Sequence, residues 1–148
     1  MKGKQRHEWP KSFQVRWDFS PQSMHLADDG ASPDGYPIED YRFGEADLAE
    51  IDDKLHGVSR RSASELWSFS PHKVARVIEH WSNCGLITPP LLAISMGCLV
   101  IVGGNNRLAV CRADDQERIP FLYEASQVAD FARMLTSFKE LDVVKPTQ

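Results

Sequence analysis

Apolar residues recur along this chain in two rhythms, one helical and one of strands. From Ser70 to a stop at Gly85, Val74, Val77, Ile78 and Trp81 fall at i, i+3, i+4 and i+7, the stripe of an amphipathic helix. Ser70 stands at its cap position, Pro71 at its first helical position and Gly85 at its stop. A helix is also predicted over 45–56, with Leu48, Ile51 and Leu55 on one face, acids in its first turns and Gly57 at its end. A last helix, capped by Ser126, carries Val128, Phe131, Leu135 and Phe138 on its buried face. Phe13, Val15, Trp17 and Phe19 alternate with polar residues and predict a strand with one buried face. Apolar runs over 91–94, 98–102 and 119–123 predict further strands, the first two joined as a hairpin by Met96-Gly97. Residues 63–67 read as a short strand or turn. Residues up to 12 read as a mobile arm, and 142–148 as a frayed tail.

The apolar run over 99–102 stops at Gly103-Gly104, after which Asn105-Asn106-Arg107 open a helical pattern. Paired glycines permit positive φ and let a ligand approach the backbone closely. Either asparagine can cap the helix, whose free N–H groups and dipole favour an anion. Arg107, in the first turn, offers a planar fork of donors suited to phosphate. The expectation is a phosphate-binding turn between strand and helix; the competing one is a purely structural turn. Lys73, Arg76 and His80 lie at three- and four-residue steps on the predicted helix, so they can converge on one ligand. The bland alternative for them is a solvated basic ridge.

The chain's 148 residues suffice for one domain with a core and are too few for two large ones. Hydrophobic residues at 42% and charged ones at 26% are the proportions of an ordinary soluble globule. A net charge of -4 argues against binding nucleic acid through bulk charge. That charge is uneven. Lys2, Lys4, Arg6, Lys11 and Arg16 make the beginning basic, whereas from Asp18 to Asp53 acids dominate and Arg42 is the exception. Cys84, Cys98 and Cys111 are an odd set without paired spacing, which points away from disulfides and zinc and towards a reducing, cytoplasmic setting. Residues 1–13 lack the apolar centre of a signal peptide, and Pro89 and Pro90 interrupt the longest apolar region, so no membrane span is expected. Asp28-Asp29-Gly30 and Pro33-Asp34-Gly35 mark a long loop without calcium-loop spacing, and no metal is expected there.

From Ser70 onward the order is helix, Pro89-Pro90, two strands, Gly103-Gly104-x-x-Arg107, helix, an Ile119-Pro120 strand and a helix. This resembles the ParB/sulfiredoxin-like superfamily, and the sulfiredoxins within it, over roughly 70–135. The resemblance implies a compact α+β domain over 61–148, a small mixed sheet flanked by helices, with residues 1–60 as an extension packed on or beside it. It also implies a nucleotide or phosphate site. The sulfiredoxin ATP-contacting lysine falls on Lys73, two further ATP-contacting positions hold Arg76 and His80, and the phosphate-holding arginine falls on Arg107. With Gly103, Gly104, Asn105 and Asn106 these residues form the candidate site. The family's turn reads Gly-Gly-Cys-His-Arg, so its nucleophilic thiolate is replaced by Asn105, and sulfinic-acid reduction is not expected. Expected instead is nucleotide or phosphate binding, with ATP or another nucleotide and Mg2+ as cofactors, and phosphoryl transfer or NTP hydrolysis as the possible chemistry. Base candidates for such chemistry are Glu79, Asp52 and Asp53, with no spacing that singles one out. The alternatives are a non-catalytic regulatory module with a protein partner, or a ParB-like DNA-associated protein or nuclease. Nucleic acid is the less favoured partner, because neither the ParB Gly-Glu-Arg-Arg motif nor room for a helix-turn-helix domain after Ile119 is present.

Overall fold

The computed structural model describes residues 1–27, 40–57 and 61–142. Its axis is strand β4 (Arg118–Glu124), in which every residue from Ile119 to Tyr123 is buried. Strand β1 (Tyr41–Asp47) pairs antiparallel with β4, and β2 (Leu91–Ser95) pairs parallel with it on the other side. Strand β3 (Cys98–Gly103) forms the expected hairpin with β2, and β5 (Lys139–Glu140) lies beside β1, giving the order β3-β2-β4-β1-β5. The parallel β2–β4 pair needs a crossover, which the hairpin and helix α3 (Asn105–Ala113) provide. The fold is α+β with a mixed sheet, as expected.

Successive strand residues point to opposite faces, so Phe121 and Leu122 serve different cores. Ile119, Phe121 and Tyr123 meet helices α1 (Leu48–Lys54), α2 (Pro71–Ser82), α3 and α4 (Val128–Met134) through Ile51, Ile78, Leu108 and Phe131. On the other face Phe43, Leu91 and Leu122 are covered by Met24 and Ala27 of a 3-10 helix, Pro21–Ala27. Strand β1, from the segment read as an extension, lies between β4 and β5, so residues on both sides of position 60 share one sheet.

Several expectations are corrected. The beginning of the chain is docked rather than loose: Trp9 is buried, Phe13 is buried as its alternation predicts, and the rings of Phe13 and Trp17 meet Trp81 edge-on at 6.0 and 5.2 Å. The alternation over 13–19 yields one bridge, Trp17 to Ile87, in place of a strand. Its apolar side chains serve two cores, with Trp17 on Trp81 and Phe19 on Phe43. The helix expected from Glu45 begins only at Leu48. Glu45 and Asp47 are drawn into β1 by pairing with β4, where Arg118 bonds both carboxylates. Residues Ala63–Glu65 form a 3-10 turn closed by Ser62 and Glu65. Helix α4 has Gln127, not Ser126, at its cap position, and Phe138 packs from beyond its end. The loop around Asp28 and Asp34 and the tail after Asp142 lie outside the described residues.

Helix α2 starts where Ser70 and Pro71 predict, but its end works differently. The left-handed residue is Cys84, φ 64, and the Gly85 N–H donates to the His80 carbonyl at 2.9 Å, closing a Schellman motif. A Cβ at 85 would collide with the His80 ring where it stands, so a larger residue there would turn that exposed ring aside. That ring donates from Nε2 to the Leu86 carbonyl at 2.9 Å, an assignment the carbonyl dictates because it can only accept.

Candidate functional site

The Gly-Gly turn joins β3 to α3 as expected. Gly103 ends the strand opposite Leu91. Gly104 alone of the pair takes a positive φ, 105°, and a Cβ on it would stand 2.9 Å from the Pro90 Cα. The turn is therefore pressed against the Pro-Pro segment, and glycine is required for both reasons. Gly104 has no side chain with which to cap α3, and Ser70 makes no capping bond to α2. Both helices thus begin with N–H groups that no cap side chain answers.

The two helix starts open onto one cavity of about 210 Å³, whose lining includes Ser70 and Lys73 from α2 and Asn105 and Asn106 from α3. Lys73 is exposed and forms no ion pair among the described residues. Arg61 and Glu65 also line the cavity. The Arg61 guanidinium lies 3.9 Å over the ring of Phe69. Glu65 accepts from the Ser62 N–H and hydroxyl at 2.9 and 3.0 Å, and these bonds hold its carboxyl below the usual range. Two helix dipoles, an ammonium and two carboxamides around one concavity are a setting for an oxyanion.

The other candidates lie elsewhere. Arg107 donates from Nη2 to the Leu26 carbonyl at 2.9 Å and from Nη1 to the Thr88 and Pro89 carbonyls at 3.4 and 3.5 Å. With His80 it lines a different cavity of about 220 Å³. Arg76 is exposed on α2 and lines neither. The convergence of Lys73, Arg76 and Arg107 on one cleft is therefore replaced by Lys73, Asn105 and Asn106 at one site, with Arg107 fastening the chain at another. Helical spacing places side chains on a face but does not say which neighbour that face meets.

None of the proposed bases lines the cavity at the helix starts. Glu79 is exposed on α2, and Asp53 faces the adjacent Lys54 at 3.8 Å. Asp52 is engaged by Arg112, whose Nε reaches both carboxylate oxygens at 3.0 Å and whose Nη2 reaches one at 2.7 Å. This pair lines a larger cavity of about 550 Å³, where Asp47, Asp115 and Glu117 leave carboxylates in excess over Arg61 and Arg112. Sequence reasoning missed Arg112, because nothing local marks a helical arginine as buried. It also did not single out Arg61, which lines both this cavity and the one at the helix starts. Cys111 is fully buried, and burial pushes its thiol pKa well up.

No family model, curated protein or solved structure matches the chain. Among the described residues there is no group of three metal-ligating side chains, and no helix is long and apolar enough to cross a membrane.

Proposed function

We propose that this protein binds a phosphate-bearing small molecule, a nucleotide, at the cavity between the starts of α2 and α3. One observation carries the reading: two helix N-termini without side-chain caps and the unpaired Lys73 line the same concavity. The phosphates sit against the α3 start and Lys73, with Asn105 and Asn106 as further donors. A magnesium ion fits only as a passenger on those phosphates, since Glu65 is the single carboxylate in the lining and Ser62 already occupies one of its oxygens. The chemistry is not sulfinic-acid reduction, because position 105 carries no sulfur and Cys111 is enclosed in the core.

Binding without turnover, as a regulatory module, is the second reading. What favours it is the placement of Asp52, Asp53 and Glu79 away from the cavity, which leaves phosphoryl transfer without a base other than Glu65.

Calorimetry with ATP, ADP and CTP, with and without magnesium, tests the proposal. Lys73→Ala is expected to weaken binding by about ten- to a hundredfold, from a charge-assisted contact of roughly 1.5–3 kcal/mol. If none of the three binds the wild type at millimolar concentration, the reading fails. If one binds, a hydrolysis assay on the same samples separates the two versions.

A further inference from the structure

The docking of residues 1–20 changes what their charges can do. Lys2 Nζ lies 3.4 Å from His72 Nε2 at the start of α2, and Ser12 Oγ donates to the Ser82 carbonyl at its end, at 2.7 Å. Trp81 Nε1 donates to the Arg16 carbonyl at 2.6 Å. The segment runs alongside α2 for the helix's whole length, roughly 18 Å at 1.5 Å per residue. Residues 1–16 and α2 together hold seven lysines and arginines against two carboxylates, Glu8 and Glu79.

Of the seven cations, Arg6 is paired with Asp114. Lys2, Lys4, Lys11, Lys73 and Arg76 are exposed and have no ion-pair partner among the described residues. Glu8 is turned back on the Gln5 N–H at 2.8 Å. Away from this face most cations are paired: Arg42, Lys54, Arg112, Arg118 and Arg133 each meet a carboxylate, Arg107 meets carbonyls, and Lys139 is exposed without an ion pair among the described residues. A chain that is acidic overall has gathered unanswered positive charge on one side, which concentrates the potential there. A net charge of -4 does not keep a polyanion from a surface of this kind, because the field close to the surface is set by the charges on it.

We propose that the face formed by the N-terminal segment and α2 binds single-stranded nucleic acid through its phosphates, without reading sequence. Phe69 points to a single strand. The residue is 56% exposed, precedes the start of α2, shares a cavity lining with Lys73 and holds the Arg61 guanidinium against one face of its ring, which leaves the other face for a base. An unpaired base stacks on such a ring, whereas a duplex keeps its base faces closed. The surface goes beyond the nucleotide cavity, because Lys2, Lys4 and Lys11 do not line that cavity.

The test is fluorescence anisotropy with a labelled oligothymidylate and the full chain, between about 50 and 200 mM salt. The wild type is expected to bind, with affinity falling steeply as salt rises. The triple variant Lys2→Ala, Lys4→Ala, Lys11→Ala should bind at least about tenfold more weakly at low salt. Its log–log salt slope should be shallower by about 2, at about 0.7 per phosphate contact on a single strand. Its thermal melt and its ATP affinity should match the wild type, which separates this surface from the nucleotide cavity. Phe69→Ala should weaken binding by about tenfold, the loss of one stacked base, without changing the slope. The proposal is overturned if the wild type does not bind the oligonucleotide at low salt, or if the triple variant keeps wild-type affinity and slope. It is overturned equally if polyglutamate or anionic vesicles bind as well as the oligonucleotide, or if the matching duplex binds more tightly.

Discussion

Helix α3 has two ends of opposite electrostatic character. At its start Gly104 supplies no cap, Asn105 is exposed, and Lys73 across the cavity forms no ion pair among the described residues, although Glu65 shares the lining. At its far end the partly buried charges are paired, with Asp115 and Glu117 left exposed: Arg112 is clasped by Asp52, and Asp114 accepts from Arg6 at 2.6 Å and from Gln116 at 2.7 Å. The larger cavity lies at this finished end and the smaller at the open one. Volume is thus a poor guide to the site. Groups already bonded to each other cannot turn to a ligand without losing those bonds, whereas groups facing water exchange it for a ligand at little cost.

The sharpest way to break the comparison is to remove one partner at the finished end. The Arg112 side chain is 5% exposed, so Asp52→Ala leaves a buried guanidinium without its counter-charge. A loss of about 3–5 kcal/mol is expected, read as a lower urea midpoint. Lys73→Ala, at the open end, should change stability by less than about 0.5 kcal/mol. Equal costs for the two variants would mean that the ends do not differ in kind.

Arg107 makes the next test, because it sits in the first turn yet behaves like the finished end. Its guanidinium ties Leu26, from the N-terminal segment, to Thr88 and Pro89. Arg107→Ala is expected to cost about 1–3 kcal/mol in stability and to leave nucleotide affinity unchanged. An affinity loss of about tenfold with an unaltered melt would return Arg107 to the phosphate site.

Legibility in the sequence followed the range of the interactions. Helix α2, the β2–β3 hairpin, the strand-to-helix glycine turn and β4 are written in local periodicity and turn residues, and all are present. Strand β1 was not legible: Arg42, Glu45 and Asp47 break its apolar run, and the pairing with β4 that makes it a strand lies far away in sequence. The site divided in the same way. Lys73, Asn105 and Asn106 follow from helix starts, whereas the Arg112–Asp52 pair and the carbonyl contacts of Arg107 depend on which helix faces meet. The docking of Trp9 was hidden because polar and basic neighbours made the segment look solvated, whereas the burial of Phe13 was legible in its alternation with polar residues.

A smaller effect is expected from Glu50, which carries the finished pattern on to α1. Burial works against its charge, but hydrogen bonds from the hydroxyls and N–H groups of Ser137 and Thr136 outweigh it and hold the carboxyl at about 2. A folded-state pKa below the ordinary 4.5 contributes stability that is fully present above that value and is lost as pH falls from there towards 2. Urea midpoints of the wild type should therefore fall over this interval more steeply than those of Glu50→Gln. Parallel curves would show that the Glu50 bonds do not form in solution.

The smallest effect compares the ends of α2 and α3, which close alike. Cys84 and Asp115 each hold the left-handed position, at φ 64 and 54, and the next residues donate back to His80 and Cys111. A side chain in that conformation is strained and glycine is not, so Cys84→Gly and Asp115→Gly should each stabilise the fold, by about 1 kcal/mol or less. Asp115 bears a second burden, since a carboxylate at a helix C-terminus meets the negative end of the dipole. Aspartate also tolerates the left-handed region better than cysteine, which reduces the strain that glycine can relieve there. The two terms separate with salt, because the dipole effect is screened and the backbone strain is not. In thermal melts the gain from Asp115→Gly should shrink from low to high ionic strength, while that from Cys84→Gly should stay constant. A salt-independent gain at both positions would leave backbone strain as the common cause and remove electrostatics from this part of the comparison.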